Sequence, residues 1–339
     1  MSLYVATHDL CLLHEAGTGH PERPERLEVA LAAMRSEPLS DAVSWVEAPE
    51  ASEEQLLRVH PKRLLNYLND LSLSGRGQID PDTGVNLFSN EAARRAAGAG
   101  LALIEKLRSG EADAGWSLVR PPGHHALSEK QMGFCLINNV AVAAKELRAA
   151  GERVAIIDID AHHGNGTQDI FYDDGDVLFV SLHQYPWYPY TGRPDEIGEG
   201  AGVGTTVNVT LPAGANGTAY RAAFDKVVVP AIDRFKPDWL LISAGFDGHR
   251  HDPLTDLGLT STDYGELVTE LVGLVPPGRR LLFLEGGYDL QSLKDSVTAV
   301  ASALIGRPQR PEPTSEGGPG LEHVEVARRI HFDGGPGDR

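Results

Sequence analysis

The chain has 339 residues, 41% hydrophobic and 6% aromatic, and its 48 Asp and Glu outweigh 30 Lys and Arg to leave a net charge of −18. That length buries a substantial core, and the acid excess argues against phosphate-backbone binding, so no direct nucleic-acid partner is expected. Cys11 and Cys135 are far apart and in no metal-binding spacing, which points to a reducing, cytoplasmic setting; Met1–Glu15 shows neither a secretion signal nor a membrane span.

From the N-terminus, Leu3–Thr7 predicts a strand, Pro24–Arg35 a helix and Val43–Glu47 a second strand. Helical patterns follow at Pro61–Leu71 and Glu91–Arg108, then a strand at Trp116–Arg120 and a helix at Ile137–Ala150. Three apolar runs, Val154–Asp160, Val177–His183 and Thr206–Leu211, read as buried strands. After a helix at Ala219–Phe235 come the strand Trp239–Ala244, the helix Thr262–Leu274, the strand Leu281–Glu285 and the helix Leu290–Leu304. Strands alternating with helices imply crossover connections, hence an α/β fold with an eight-stranded, mainly parallel sheet and helices on both faces. Residues 1–306 are expected to form one domain. Residues 307–320, rich in Pro and Gly, read as a linker, and residues 321–339 as a short helix at Leu321–His331 followed by a disordered tail from Asp333. That helix would dock on the body or on a neighbouring subunit, so a homo-oligomer is compatible with the sequence.

Ligands of open α/β sheets bind beyond the C-terminal strand ends. The polar clusters Arg120–His125, Asp158–Gly166, Ser181–Gly192, Gly245–Asp252 and Glu285–Asp289 all fall there. Strand alternation puts Asp158, Asp160 and His162 on one face, and burying them together is costly unless a cation binds, although a polar loop at a strand end is the plainer alternative. Asp247 ends another apolar strand. Asp160, His162 and Asp247 then supply three ligands with one or two open positions, the arrangement of catalytic zinc; iron and cobalt suit such a set as well. Asp158 is better used to orient a histidine. His124 and His125, on a loop stiffened by Pro121 and Pro122, suit proton transfer near neutral pH. In Glu285-Gly-Gly-Tyr-Asp289 the glycines permit a sharp turn that exposes Tyr288, whose phenol either donates to a developing oxyanion or simply packs on its turn.

Taken in order, His20-Pro-Glu-Arg-Pro-Glu-Arg26, Arg120–Ala126, Gly133-Phe-Cys-Leu-Ile-Asn-Asn139, Asp158–Gln168, Ser181-Leu-His183, Ser243–Pro253 and Glu285–Asp289 resemble the histone deacetylase superfamily, including acetylpolyamine amidohydrolases and bacterial class II-like deacetylases. The resemblance implies a single arginase-like domain with one catalytic zinc on Asp160, His162 and Asp247. It makes His125 the general base and acid, His124 its electrostatic partner bonded to Asp158, and Tyr288 the group that polarises the scissile carbonyl. Gly133, Phe134 and Tyr188 would wall the acyl channel, and Arg26 would lie below the metal beside an internal cavity for the acid product. A structural potassium ion near Asp158, Asp160, His162, Ser181 and Leu182 is implied too. Asn165 stands where class I members carry Asp, as in the class II and polyamine branches, so His125 lacks a carboxylate partner. Cys135 reads as a packed core thiol.

The implied reaction is hydrolysis of an N-acyl amide. Leu254 occupies the position where one polyamine-selective branch carries Glu, which favours acyl-lysine in proteins or peptides over an acetylated polyamine or other small amine. Asp80 and Asp82 lie in a loop that can reach the rim. Two rivals remain. A binuclear manganese ureohydrolase would need carboxylates where this chain has His163 and Asn165, and a non-catalytic acyl-binding module would be expected to lack Tyr288 or one of the paired histidines.

Overall fold

The computed structural model describes residues 1–333. Among these residues ten strands form: β1 (Leu3–Thr7), β2 (Val43–Glu47), β3 (Arg76–Asp80), β4 (Thr83–Asn86), β5 (Ala114–Ser117), β6 (Val154–Asp158), β7 (Val177–Gln184), β8 (Thr206–Leu211), β9 (Trp239–Ala244) and β10 (Arg280–Leu284). Eight of them make one sheet in the order β2-β1-β5-β10-β9-β6-β7-β8, and every ladder in it is parallel. Helices surround the sheet, and the strands from β5 to β8 are buried along their whole length, which is why they read as unbroken apolar runs rather than alternating ones. A single domain with one continuous core results.

This order positions the site. β5, β10, β9, β6 and β7 are consecutive neighbours, so the loops leaving their C-terminal ends converge although they are far apart in sequence. Asp158 pairs in register with Ser243 of β9 and with Ser181 of β7, which brings the loops after β9, β6 and β7 side by side.

Several features differ from the sequence expectation, among them unexpected short helices at Leu10–Leu13 and Glu53–Leu57. The ladder of β5 ends at Ser117 rather than running to Arg120; Pro121 and Pro122 have no N–H to continue it, and Arg120 turns inward to Glu22 and to the carbonyls of Cys11 and His14. The antiparallel pair β3–β4 lacks an apolar period, and its register shifts between Gln78 and Asp80. The expected helix Ala219–Phe235 is interrupted by a π-helical stretch at Phe224–Val228 just before Pro230, which cannot donate to the helical ladder. A short helix, Asn165–Phe171, starts within the Asp158–Gly166 motif.

The segment 307–320 lies pinned along the body. Glu312 accepts from the Ser261 N–H at 2.9 Å and pairs with His249 at 2.8 Å, while Ser315 donates to Asp263 at 2.6 Å. Beyond it the helix Leu321–Phe332 buries Val324 and Ala327 against β8 and its neighbouring helix. Of the expected tail, residues 334–339 lie outside the described residues. No helix among those described is long and apolar enough to cross a membrane.

Candidate active site

Asp160 and His162 follow β6, and Asp247 follows the adjacent β9. All three are buried, with one ligand atom from each lying within 4.8 Å of the others. His162 Nδ1 faces both carboxylates, 2.9 Å from Asp247 Oδ2 and 3.3 Å from Asp160 Oδ1. Main-chain N–H groups hold the carboxylates in place: His162 donates to Asp160 Oδ1 at 2.8 Å, Gly286 to Asp160 Oδ2 at 2.8 Å and Ala161 to Asp247 Oδ1 at 2.8 Å. Two glycines allow this closeness, since a Cβ on Gly245 would sit 1.9 Å from Asp160 Oδ2 and one on Gly286 2.2 Å from Asp247 Oδ2. Burial opposes charge on His162, yet the two carboxylates pull its pKa up to about 10. Two buried negative charges focused on one imidazole nitrogen are the environment a divalent cation balances, so the donor set fits a metal.

The paired histidines leave the end of β5, with ring centroids 4.0 Å apart, but their partners differ. His124 Nδ1 bonds Asp158 Oδ2 at 3.0 Å. His125 Nδ1 bonds Asn165 Oδ1 at 2.7 Å, and Asn165 gives its Nδ2 to Met132 sulfur at 3.5 Å. An amide oxygen only accepts, so Nδ1 of His125 carries the hydrogen and Nε2 is left to take a proton. Burial, then the neighbouring His124 and His162, hold His125 well below the usual imidazole range. His124 is held well above it: burial opposes its charge, but Asp160 and Asp158 outweigh that.

Glu285, just past β10, ties the histidine loop to the sheet. Its Oε2 accepts from Gly123 N–H at 2.7 Å and His124 N–H at 3.2 Å. Tyr288 follows, on a turn clamped from two sides. Asp252 Oδ2 accepts from its N–H at 2.6 Å, and Arg26 donates to the carbonyls of Glu285 and Gly287, both at 2.6 Å. The Arg26 guanidinium also lies 4.8 Å from the Tyr288 ring centroid. Fully buried, Arg26 pairs with Glu22 at 3.0 Å as well.

A cavity of about 280 Å³ descends to His125, His162 and Tyr288. Phe134 and Tyr188 wall it: Phe134 meets Tyr288 edge-on at 5.8 Å, and Tyr188 meets His125 at 5.4 Å. Gly133 has φ +56, and a Cβ there would press into the His125 ring at 2.5 Å. Leu254 lines the same cavity, as do Asp82 and Trp187, whose indole N–H donates to the Leu254 carbonyl at 3.0 Å. Asp82 sits in the β3–β4 turn, and burial and Asp80 push its pKa up. His163, next to His162 in the chain, bonds Thr191 and Gln168 through its two ring nitrogens. Cys135 is fully buried, and that burial raises its thiol pKa well above the usual range.

The structure thus brings together Asp158, Asp160, His162, Asp247, His124, His125 and Tyr288, with Gly133, Phe134, Tyr188 and Leu254 above them. Sequence reasoning missed Glu285, Asp252 and Trp187 as supports. The signal for the first two was an acidic residue at the end of a buried strand or loop; Trp187 gave none.

The family model described as histone deacetylase domain matches residues 20–304. A probable deacetylase of Archaeoglobus fulgidus is 40% identical over 309 residues, covering 89% of this chain and 86% of its own. A histone deacetylase-like amidohydrolase of Pseudomonas aeruginosa is 39% identical over 322 residues, covering 88% and 84%. The crystal structure of the HDA15 HD domain superimposes with a TM-score of 0.91 at 38% identity, over 99% of this chain and 96% of that one.

Proposed function

Because the chain belongs to the histone deacetylase family, we propose that it is a zinc-dependent amidohydrolase, acting in the cytoplasm, that removes acetyl or another short acyl group from acyl-lysine in proteins or peptides. One observation carries this reading: a single cavity reaches the proposed metal ligand His162, the imidazole His125 and the phenol Tyr288. Zinc held by Asp160, His162 and Asp247 would supply Lewis acidity toward the scissile carbonyl and the attacking water. His125 Nε2 takes the proton from that water and returns it to the departing amine, with Nδ1 held by Asn165. Tyr288 donates its hydroxyl hydrogen to the carbonyl oxygen as negative charge develops there. His124, paired with Asp158, stabilises charge beside the base. The arginine clamp on the Tyr288 turn is the role supported for Arg26. A potassium ion near Asp158, Asp160, His162, Ser181 and Leu182 belongs to the same reading, supported by the register that sets Asp158 beside Ser181.

The apolar walls Phe134, Tyr188 and Leu254 suit the methylene stem of lysine. Asp82 on the same cavity is the observation that keeps an acetylpolyamine as the second reading, since a carboxylate there can meet a further ammonium group. The test is kcat/KM on a fluorogenic acetyl-lysine peptide beside acetylated putrescine and spermidine, before and after chelation and zinc return. Preference for the peptide, lost on chelation and restored by zinc, is expected. Faster turnover of the polyamines reverses the substrate assignment, and hydrolysis of neither removes the enzymatic reading in favour of a binding module.

A further inference from the structure

A second cavity, about 480 Å³, opens at the other end of the sheet. Arg153 immediately precedes β6 and Thr205 immediately precedes β8, so both mark N-terminal strand ends, whereas the catalytic loops leave the C-terminal ends. The five residues of β6 put roughly 16 Å of strand between the two sites, at about 3.3 Å per residue.

The cavity has a defined chemistry. Arg153 lies over the ring of Phe235, 4.1 Å from its centroid, and Arg234 over the ring of Phe332 at 4.8 Å. All four residues line the cavity. Stacking holds each guanidinium plane in position without using up its outward N–H donors. Neither guanidinium is well matched by a carboxylate. Arg153 is 3.7 Å from Asp176, whose other oxygen is already held by Arg148 at 2.6 Å. Arg234 has no ion-pair partner among the described residues, and donates to the His331 carbonyl at 3.0 Å. Asp333, close in sequence, pairs with Arg328 instead. His331 also lines the cavity; it is 6% exposed, and its Nε2 has no hydrogen-bond partner among the described residues. In a protein with net charge −18, two under-paired arginines around one aromatic-lined hollow are a local reversal of sign. Its volume falls in the usual range for small-molecule sites, about 300–1,000 Å³.

We infer that this cavity, framed by Arg153, Arg234, Phe235 and Phe332, binds a small organic anion: a carboxylate or phosphate monoester carried on a flat apolar body. The guanidiniums take the anionic group through paired N–H donors, and the apolar body packs on the phenylalanine side of the hollow. The site is separate from the catalytic cavity and does not depend on the reaction proposed above.

The full chain titrated calorimetrically with benzoate, phenyl phosphate, inorganic phosphate and benzamide tests this. One saturable site for benzoate or phenyl phosphate is expected, with benzamide and inorganic phosphate at least about tenfold weaker, because each lacks half of the recognised chemistry. The stronger of the two aromatic anions identifies the natural anionic group. Arg153→Gln and Arg234→Gln should each weaken binding about tenfold or more while leaving turnover at the distant site unchanged, and Val203→Trp should block the hollow sterically should either arginine variant fold poorly. A crystal soaked in 4-bromobenzoate should show its anomalous peak at the apolar end of this hollow, away from the two guanidiniums that hold the carboxylate. No saturable binding by either aromatic anion, binding indifferent to the substitutions, or a bromine peak only in the catalytic cavity would each overturn the proposal.

Discussion

Asp160, His162 and Asp247 hang from the ends of two adjacent buried strands, with their carboxylates fixed by main-chain N–H groups. Phe134, Trp187 and Tyr188 stand on loops above, and Phe134 and Tyr188 meet Tyr288, His125 and His162 through ring edges. The floor therefore inherits its precision from the register of the sheet, and a displacement there requires moving a strand. The walls inherit theirs from loop packing, where a change alters shape without disturbing the reacting groups. Floor substitutions should thus remove chemistry, and wall substitutions should retune binding.

The largest effect is expected at the floor. Asp247→Ala removes an acceptor from the Ala161 N–H and a carboxylate from His162. Metal content of the purified protein should fall to background and turnover below detection, with far-UV dichroism unchanged because the strands themselves are intact. A variant that kept one tightly bound metal and normal turnover would put the ion elsewhere and dissolve the distinction at its base.

His125→Ala should retain metal and lose about two to four orders of magnitude in rate, the usual share of general acid–base catalysis. A loss under about tenfold would transfer the role to His124. The partner of His125 offers a finer instrument. Asn165→Asp places a carboxylate against Nδ1–H, which stabilises the imidazolium, so the pKa of His125 rises. Since Nε2 must be free to act as base, the acidic limb of the kcat/KM profile should move to higher pH. A limb that stayed put, or moved down, would show that another group controls it.

Tyr288→Phe should reduce kcat by about 10²–10³ with little change in KM, as for the loss of one oxyanion donor. Asp252 holds the N–H groups of Tyr288 and Asp289, so Asp252→Ala should cost less. Combined with Tyr288→Phe, it should add almost nothing, because a residue that acts by positioning the phenol has nothing left to position. Additive losses would give Asp252 an independent task.

The same division governs what the sequence made legible. Strand-end residues are consecutive or two apart in the chain, so Asp158, Asp160 and His162 announce a shared face, and Asp247 and Tyr288 each close an apolar run. Their convergence followed from parallel topology alone. Glu285 and Asp252 carried a signal, an acid at a strand or loop end, but their role as supports went unseen because the main-chain N–H groups they hold belong to segments distant in sequence and no residue type marks them. β3 and β4 were missed because β3 is half-exposed and β4, though mostly buried, offers a single apolar side chain, Val85, in four residues, so neither shows an apolar period. Pro230 was in plain view, but propensity alone does not say whether a proline ends a helix or, as here, is absorbed by a π turn.

Trp187 provides the gentlest test of the distinction. Its indole N–H donates to the Leu254 carbonyl, tying the loop after β7 to the loop after β9 across the mouth of the cavity. Trp187→Phe keeps an aromatic wall and deletes that one hydrogen bond, worth about 0.5–1.5 kcal/mol. The tie is present before and throughout the reaction, so its loss should weaken ground state and transition state alike, raising KM by up to about tenfold and leaving kcat nearly constant. Metal content and the pH profile should not change, because neither His125 nor the proposed metal ligands hydrogen-bond the indole. If Trp187→Phe instead lowered kcat as far as Tyr288→Phe, the loops would share in setting the geometry of the floor, and the sheet would not be its sole source of precision.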